Sequence, residues 1–333
     1  MNRKFAPLLL PLSLAFIAGS ASAVTSSYKL CSTNGCSAGG SVTVSSSYAQ
    51  TRYPVVFAHG MAGFSQVGPV DYWYGIPQDL AANGASVFVT QEASFQSSDV
   101  RGEQFLAQVQ NILAITGAAK VNVIGHSHGS QTIRYVAAVL PARIASATAV
   151  GGPNTGSPVA DIIKGVTTIP GLGPVAAPVI AGVVNGFFSI VDILSGKAYE
   201  QDALAGLDSL TTAGAGAFNA RFPAAMPVSS NPCSEGAYTV NGVRYYSWSG
   251  TGHLSNVFDP LDLPLTATGL VIPGANDGLV GRCSSHLGQV IRDNYNMNHL
   301  DEVNQMFGLV SIFESNPKTV YRAHINRLKN AGL

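Results

Sequence analysis

Hydrophobic and polar positions along the chain fall into two recurring patterns. Short apolar, β-branched runs at residues 53–58, 85–89, 121–124 and 145–150 are bounded by glycine, proline or polar residues and read as buried strands. Between them lie longer stretches with apolar residues at helical spacing: Phe105, Val109, Ile112 and Leu113 within 100–115, and Ile133, Val136, Ala137 and Leu140 within 130–140. Strands alternating with helices at this interval predict an α/β fold, a mostly parallel central sheet with helices on both faces. Toward the C-terminus the pattern predicts a strand over 269–272, a helix starting near Asp301, and a basic amphipathic helix over 321–329 that puts His324 on the surface.

Two stretches break this rhythm. Residues 165–191 hold no charged side chain, yet Pro170, Pro174, Pro178 and several glycines interrupt them. A transmembrane helix is not normally cut this way, and a plain core helix shows a polar face. The stretch is expected to be a mobile apolar lid within an insertion of about residues 160–200, with an irregular buried core segment as the alternative. At the N-terminus, Arg3 and Lys4 precede an apolar run from Phe5 to Ile17 and then Ala21-Ser22-Ala23, the pattern of a signal peptide over 1–23 rather than a membrane anchor. Residues 24–47, rich in Ser, Gly and Thr, read as an N-terminal extension, and 48–333 as a single α/β domain.

Charge changes the picture mainly by exclusion. Lys plus Arg equal Asp plus Glu at 18 each, and no basic cluster with interleaved aromatics occurs, which argues against nucleic acid as a partner. Charged residues make up only 11% of the chain and the mean hydropathy is +0.23. Either the core is large or some apolar surface meets a partner. Four cysteines in an exported chain favour disulfides. Cys31 and Cys36 lie close together and Cys233 and Cys283 are the other natural pair; proximity along the chain is the only ground for preferring this connectivity. A Cys233–Cys283 bridge would close a loop of ~50 residues, stabilising by roughly 4 kcal/mol in the chain-entropy picture.

Candidate chemistry centres on Gly125-His126-Ser127-His128-Gly129, between the 121–124 strand and the 130–140 helix. Gly-x-Ser-x-Gly is a weak signal by itself in a chain with 36 glycines. A strand running through it into a helix is the nucleophile elbow of an α/β-hydrolase, which holds the Ser hydroxyl clear of the backbone. Such a serine needs a base, and the base needs an acid, in the chain order Ser, acid, His. Asp277, in the tight turn Pro273-Gly274-Ala275-Asn276-Asp277-Gly278, is the preferred acid. Asp259 and Asp262 are rivals whose ordinary role beside proline would be turn capping. Three histidines follow, His286, His299 and His324; the residues favour His299, in the polar loop after Tyr295, over His286, three residues from Cys283, and leave that choice open. Two backbone donors for an oxyanion are expected, one from His128 and one from the His59-Gly60-Met61 turn through the Met61 N–H.

At this level of detail the chain resembles the secreted calcium-dependent bacterial triacylglycerol lipases, the Pseudomonas-type true lipases that fold with a membrane-tethered foldase. The likeness spans about 47–333. It is carried by Tyr53-Pro54-Val55-Val56-Phe57-Ala58-His59-Gly60-Met61, the elbow, Gly151-Gly152-Pro153-Asn154-Thr155-Gly156-Ser157, Tyr245-Tyr246-Ser247-Trp248-Ser249-Gly250, Ala275-Asn276-Asp277-Gly278-Leu279-Val280-Gly281 and Met297-Asn298-His299-Leu300-Asp301-Glu302-Val303-Asn304-Gln305. The resemblance implies a triad of Ser127, Asp277 and His299, oxyanion donors at Met61 and His128, and a Cys233–Cys283 disulfide. It also implies a structural Ca²⁺ held by the Asp259 and Asp301 carboxylates with carbonyl oxygens of Gln305 and Leu309, pinning the loop of the base to the Asp259 segment. The implied sheet is a reduced one, without the first antiparallel strands, in accord with the short stretch before Tyr53. The extension with Cys31 and Cys36 precedes the point where such chains usually begin, and the lid stretch aligns only loosely.

The expected function is therefore that of a secreted lipase acting through an acyl-enzyme, on a water-insoluble ester at an interface. Its expected protein partner is the foldase, met during export through the periplasm, and no stable membrane span is expected. An extracellular carboxylesterase or polyester hydrolase would use the same triad. A cofactor-free haloperoxidase, a thioesterase or a peptidase on this fold is a more distant rival. A catalytically silent binding protein is the alternative from another class, and a complete triad with both oxyanion turns argues against it.

Overall fold

The strands of the main sheet are β1 (Thr25–Ser32), β2 (Gly35–Thr43), β3 (Val55–Ala58), β4 (Val87–Val89), β5 (Val121–His126), β6 (Ile144–Val150), β7 (Thr239–Val240), β8 (Val243–Gly250) and β9 (Gln289–Tyr295). They form one nine-stranded sheet in the order β7-β8-β6-β5-β3-β4-β1-β2, with β9 pairing β8. The pairs β3–β4, β3–β5, β5–β6, β6–β8 and β8–β9 are all parallel. Every residue of β3, β5 and β6 is buried, as parallel strands covered on both faces require. The computed structural model describes Met1 and residues 24–67, 70–194, 201–228 and 230–333. The rest of the expected signal peptide and the last part of the expected lid lie outside the described residues.

The helices are α1 (Ile76–Ala82), α2 (Ser98–Thr116), α3 (Gly129–Val139), α4 (Pro158–Ile163), α5 (Ala177–Leu194), α6 (Ala203–Leu210), α7 (Thr212–Arg221), α8 (Asp262–Gly269) and α9 (Pro317–Asn330). α2 starts where Ser97 Oγ accepts the Val100 N–H and stops at left-handed Gly117. Its Phe105, Val109 and Ile112 pack with Val123, Ile133 and Val136 on one face of the sheet. On the other face α1 and α9 enclose Phe57, Trp73, Trp248 and Tyr321. Between β6 and β7 the chain leaves the sheet to build α4–α7, with α5 packed closely on α8. A side-chain atom on Gly186 would lie 3.0 Å from the Pro264 carbonyl. No helix among the described residues is long and apolar enough to cross a membrane.

The structure departs from the sequence pattern in four places. The sheet is not reduced: β1 pairs parallel with β4 and antiparallel with β2, so residues ahead of Tyr53 supply an edge hairpin. This hairpin is closed by the Cys31–Cys36 disulfide, and buried Tyr28 docks it by donating to Asp71 Oδ2 (3.2 Å). The second disulfide joins Cys233 to Cys283. Residues 269–272 are not a strand; α8 ends at Gly269, and Val271 and Ile272 turn into a cluster with Val159, Ile162 and Val183. An apolar run that short does not distinguish strand from helix end. Asp301 begins only a single 3₁₀ turn, Asp301–Val303. Finally, His324 is buried, because it lies on the same stripe of α9 as Val320, Tyr321 and Leu328.

His324 Nδ1 accepts from Arg327 (3.2 Å), so its Nε2–H donates to Thr148 Oγ1 (2.8 Å) and the ring is neutral. Burial, with the Arg327 charge beside it, pushes this group down to about 3. Burial and Arg101 do the same to His59. A depressed histidine stabilises the fold above the ordinary value of about 6.5 and loses that contribution as pH falls toward 3, at roughly 1 kcal/mol per pH unit and per group. Urea denaturation followed from neutral pH downward is expected to show this loss, and His324→Gln to flatten the slope.

Candidate active site

β5 ends at His126, and the chain turns at Ser127, whose φ of 55° is left-handed. For a residue with a side chain this costs about 1–3 kcal/mol, so the surroundings must impose it. The Ser127 N–H donates to the Val150 carbonyl (2.9 Å) at the end of β6, and the Ser130 N–H returns to the Ser127 carbonyl (2.9 Å) to start α3. A side chain on Gly125 would strike the Gly129 carbonyl, and one on Gly129 would strike the Ala58 carbonyl at the end of β3. Both glycines are required by close approach of backbone.

Asp277 sits fully buried in the turn after α8, its Oδ1 accepting the N–H groups of Leu279 (2.9 Å) and Val280 (2.7 Å). Its Oδ2 lies 2.7 Å from His299 Nδ1, and the His299 N–H donates to the Asp277 carbonyl (2.8 Å). A carboxylate only accepts, so Nδ1 carries the proton and Nε2 presents a lone pair. That Nε2 is buried and has no hydrogen-bond partner. Ser127 and His299 line one cavity. The rivals do not line it. Asp262 accepts from Ser255 and Asn256 N–H groups (2.8 and 2.9 Å), His286 lies between the Ser234 carbonyl and Asp293, and His324 is in the core under α9.

Met61, just past β3, lines the same cavity, and buried His128 opens α3 with its ring Nε2 2.9 Å from Ser98 Oγ. Beneath the 59–61 turn lies a cation that the sequence pattern did not single out. Arg101 of α2 is wholly buried, and its guanidinium donates to the carbonyls of His59 (2.5 Å) and Ala93. Burial pushes neighbouring Glu92 up to about 7 against the opposing pull of Arg101. The available signal was a lone arginine in the apolar stripe of α2, one turn before Phe105. Apart from Tyr72 and Ser157 the rest of the cavity wall is apolar, with Ala62, Val159, Phe187, Leu207, Leu210, Leu279 and Leu300 among its residues. A second apolar hollow shares Met61, Phe187 and Leu207 and continues past Ile163, Val184 and Leu204.

A serine on a strained turn, an acid-oriented imidazole and an apolar cavity together fit acyl transfer to the serine hydroxyl. The alpha/beta hydrolase fold family matches residues 53–168. The triacylglycerol lipase of Vibrio cholerae is 54% identical over 287 residues, covering 86% of this chain and 90% of that one. The chain belongs to the triacylglycerol lipase family. The triacylglycerol lipases of Burkholderia plantarii and Pseudomonas fragi are 44% and 42% identical, over 86% and 85% of this chain and 88% and 98% of theirs. Among solved structures, the mature form of the Bacillus licheniformis lipase BlEst2 shares the fold, with a TM-score of 0.58 at 17% identity over 86% of this chain and 96% of that one.

In this lipase-family chain the Asp259 and Asp301 carboxyls are both buried, and each keeps one oxygen, Asp259 Oδ2 and Asp301 Oδ1, without a donor. Burial pushes Asp259 up to about 6 and Asp301 to about 8, with Asp259 adding to the rise at Asp301. Two acids with orphaned oxygens are a donor set that fits a hard divalent cation. The Gln305 side chain is committed elsewhere, donating to the carbonyls of Asp71 (2.8 Å) and Tyr72 (2.7 Å), which anchors the backbone that carries its own carbonyl. Leu309 follows in the same loop, its N–H bonded to the Met306 carbonyl (3.1 Å).

Gly129→Ala is expected to destabilise the fold by roughly 3 kcal/mol or more, through forced separation of α3 from β3. Gly182→Ala, in α5 with open space around it, is expected to be neutral or stabilising by up to about 1 kcal/mol. Thermal denaturation of the two variants checks the contrast.

Proposed function

We propose that this chain hydrolyses triacylglycerols through an acyl-enzyme on Ser127. The observation that carries the reading is the Asp277–His299 hydrogen bond, which leaves an unpartnered Nε2 on the cavity that also holds Ser127. His299 takes the Ser127 proton as Oγ attacks the ester carbonyl, while Asp277 orients the ring and stabilises the imidazolium. The Met61 and His128 N–H groups receive the oxyanion; loss of one such donor costs roughly 3–4 kcal/mol of barrier. His299 then protonates the leaving alcohol, and water repeats the cycle on the acyl-enzyme. The apolar wall from Phe187, Leu207 and Leu210 suits a fatty acyl chain, and a neighbouring apolar hollow shares Met61, Phe187 and Leu207 with it.

The uncharged stretch around α5 acts in this reading as a lid, whose opening offers apolar surface to a lipid phase. The N-terminal pattern and the family likeness support export through the periplasm with the help of a foldase. Asp259 and Asp301, with the Gln305 and Leu309 carbonyls, would hold Ca²⁺, whose part is to neutralise the two buried acids and tie the His299 loop to the Asp259 segment.

Initial rates against tributyrin and triolein, taken through the solubility limit, are expected to rise above saturation and to include triolein turnover, and Ser127→Ala to abolish both. Smooth saturation with short-chain turnover alone would make the chain an esterase and remove the lid. For calcium, the raised carboxyls set the sign. Protonation stabilises the metal-free fold below about pH 4, and that stabilisation is lost as pH rises through about 6 and about 8. Binding the cation needs both groups ionised. The drop in melting temperature on adding EGTA is therefore expected to widen from about pH 5 to about pH 8, and Asp259→Asn to abolish the EGTA effect.

A further inference from the structure

Beside the triad lies a buried chain of polar groups with no assigned role. His126, the last residue of β5, has its ring wholly enclosed. Its Nε2 is 2.9 Å from the His299 carbonyl oxygen, and its Nδ1 is 2.6 Å from Tyr72 Oη. The Tyr72 oxygen in turn receives the Gly60 N–H (3.2 Å). Gly60 is pressed into this contact: a side-chain atom on it would lie 2.7 Å from Tyr72 Oη and 2.8 Å from Ser127 Cβ.

The protons in this chain have one consistent arrangement. Burial holds His126 well below the ordinary histidine range, so the ring is neutral and carries a single N–H. A carbonyl oxygen only accepts, which places that proton on Nε2 and leaves Nδ1 as an acceptor. Tyr72 O–H must then donate to Nδ1, and its lone pair is available to the Gly60 N–H. Glu302 Oε2, 3.3 Å from His126 Nε2, faces the same ring N–H. Every donor finds an acceptor, and reversing any bond leaves two like groups facing each other in a dry site.

We propose that Tyr72 and His126 are positioning residues that hold the oxyanion turn, the nucleophile strand and the loop of the base in mutual register. The three segments are far apart in sequence. Gly60 precedes the proposed oxyanion donor Met61, His126 precedes Ser127, and the carbonyl held by His126 belongs to the residue that supplies the base. A shift in one segment is resisted by the other two. The inference rests on the proposed roles of Ser127, His299, Met61 and His128.

The test measures kcat, KM and melting temperature of the full chain with p-nitrophenyl butyrate for Tyr72→Phe, His126→Phe, the double variant and His126→Gln. Tyr72→Phe and His126→Phe are each expected to lower kcat about tenfold or more with KM changed less than about threefold, because the register matters most in the transition state. The double variant is expected to fall no further than the worse single one. His126→Gln is expected to recover part of the His126→Phe loss, since its amide can still donate to the His299 carbonyl. Additive losses, a loss confined to KM, or a kcat within twofold of the parent in folded Tyr72→Phe would each overturn the proposal. If His126→Phe does not fold, Tyr72→Phe, which removes one oxygen, and His126→Gln decide the question. Ser127→Ala separates the two levels. Turnover in that variant overturns the catalytic reading, and the positioning role with it. An inactive Ser127→Ala beside a normal Tyr72→Phe overturns the positioning role alone.

Discussion

Three stretches of backbone approach one another at the end of β5 more closely than any side chain would permit, and the rest of the site depends on that approach. Gly125 lies against the Gly129 carbonyl and Gly129 against the Ala58 carbonyl, so α3 starts directly on top of β3. The geometry forces Ser127 into its left-handed conformation. It also fixes the turn after β3 relative to Ser127, because both leave the sheet at the carboxyl ends of adjacent parallel strands. An open parallel sheet gathers its outgoing turns along that edge, and the Asp277 turn and the His299 loop meet there.

Around this edge the protein encloses an unusual number of polar groups. His59, His126, His128, His299, Glu92, Arg101, Asp277 and Glu302 are all buried. Burying such groups is costly unless their donors and acceptors are matched. Several are matched to backbone: Arg101 to two carbonyls, Asp277 to two N–H groups, Glu302 to the Gly250 N–H. The polar interior thus works as scaffolding for loops that have little secondary structure of their own. Among the described residues, the buried atoms left without a partner include His299 Nε2 and one oxygen each on Asp259 and Asp301.

Much of this was legible along the chain. The alternating strands and helices were, because parallel strands and amphipathic helices write periodic patterns. The elbow was, because its glycines and flanking elements occur together within one short stretch. His299 was favoured only by its place in a polar loop, and what singles it out in three dimensions is a bond to a residue 22 positions away. The hairpin of β1 and β2 was missed because Ser- and Gly-rich strands carry no hydrophobic alternation; it is held by pairing with β4, a disulfide and buried Tyr28. His324 was misplaced because its basic neighbours on α9 outweighed the stripe it belongs to. Arg101 and the Tyr72–His126 pair left almost no trace, since their meaning lies in long-range bonds to carbonyls and N–H groups, which exist at every position of every sequence.

The cavity draws its two functions from different parts of the chain. Ser127, the 59–61 turn, Asp277 and His299 are tied to the sheet edge or to one another, whereas Phe187, Leu207 and Leu210 come from the α4–α7 excursion between β6 and β7. Drift in that excursion can reshape the apolar cavity without touching Ser127, Asp277, His299 or the 59–61 turn. A lineage built this way can diversify its diet while inheriting its chemistry unchanged.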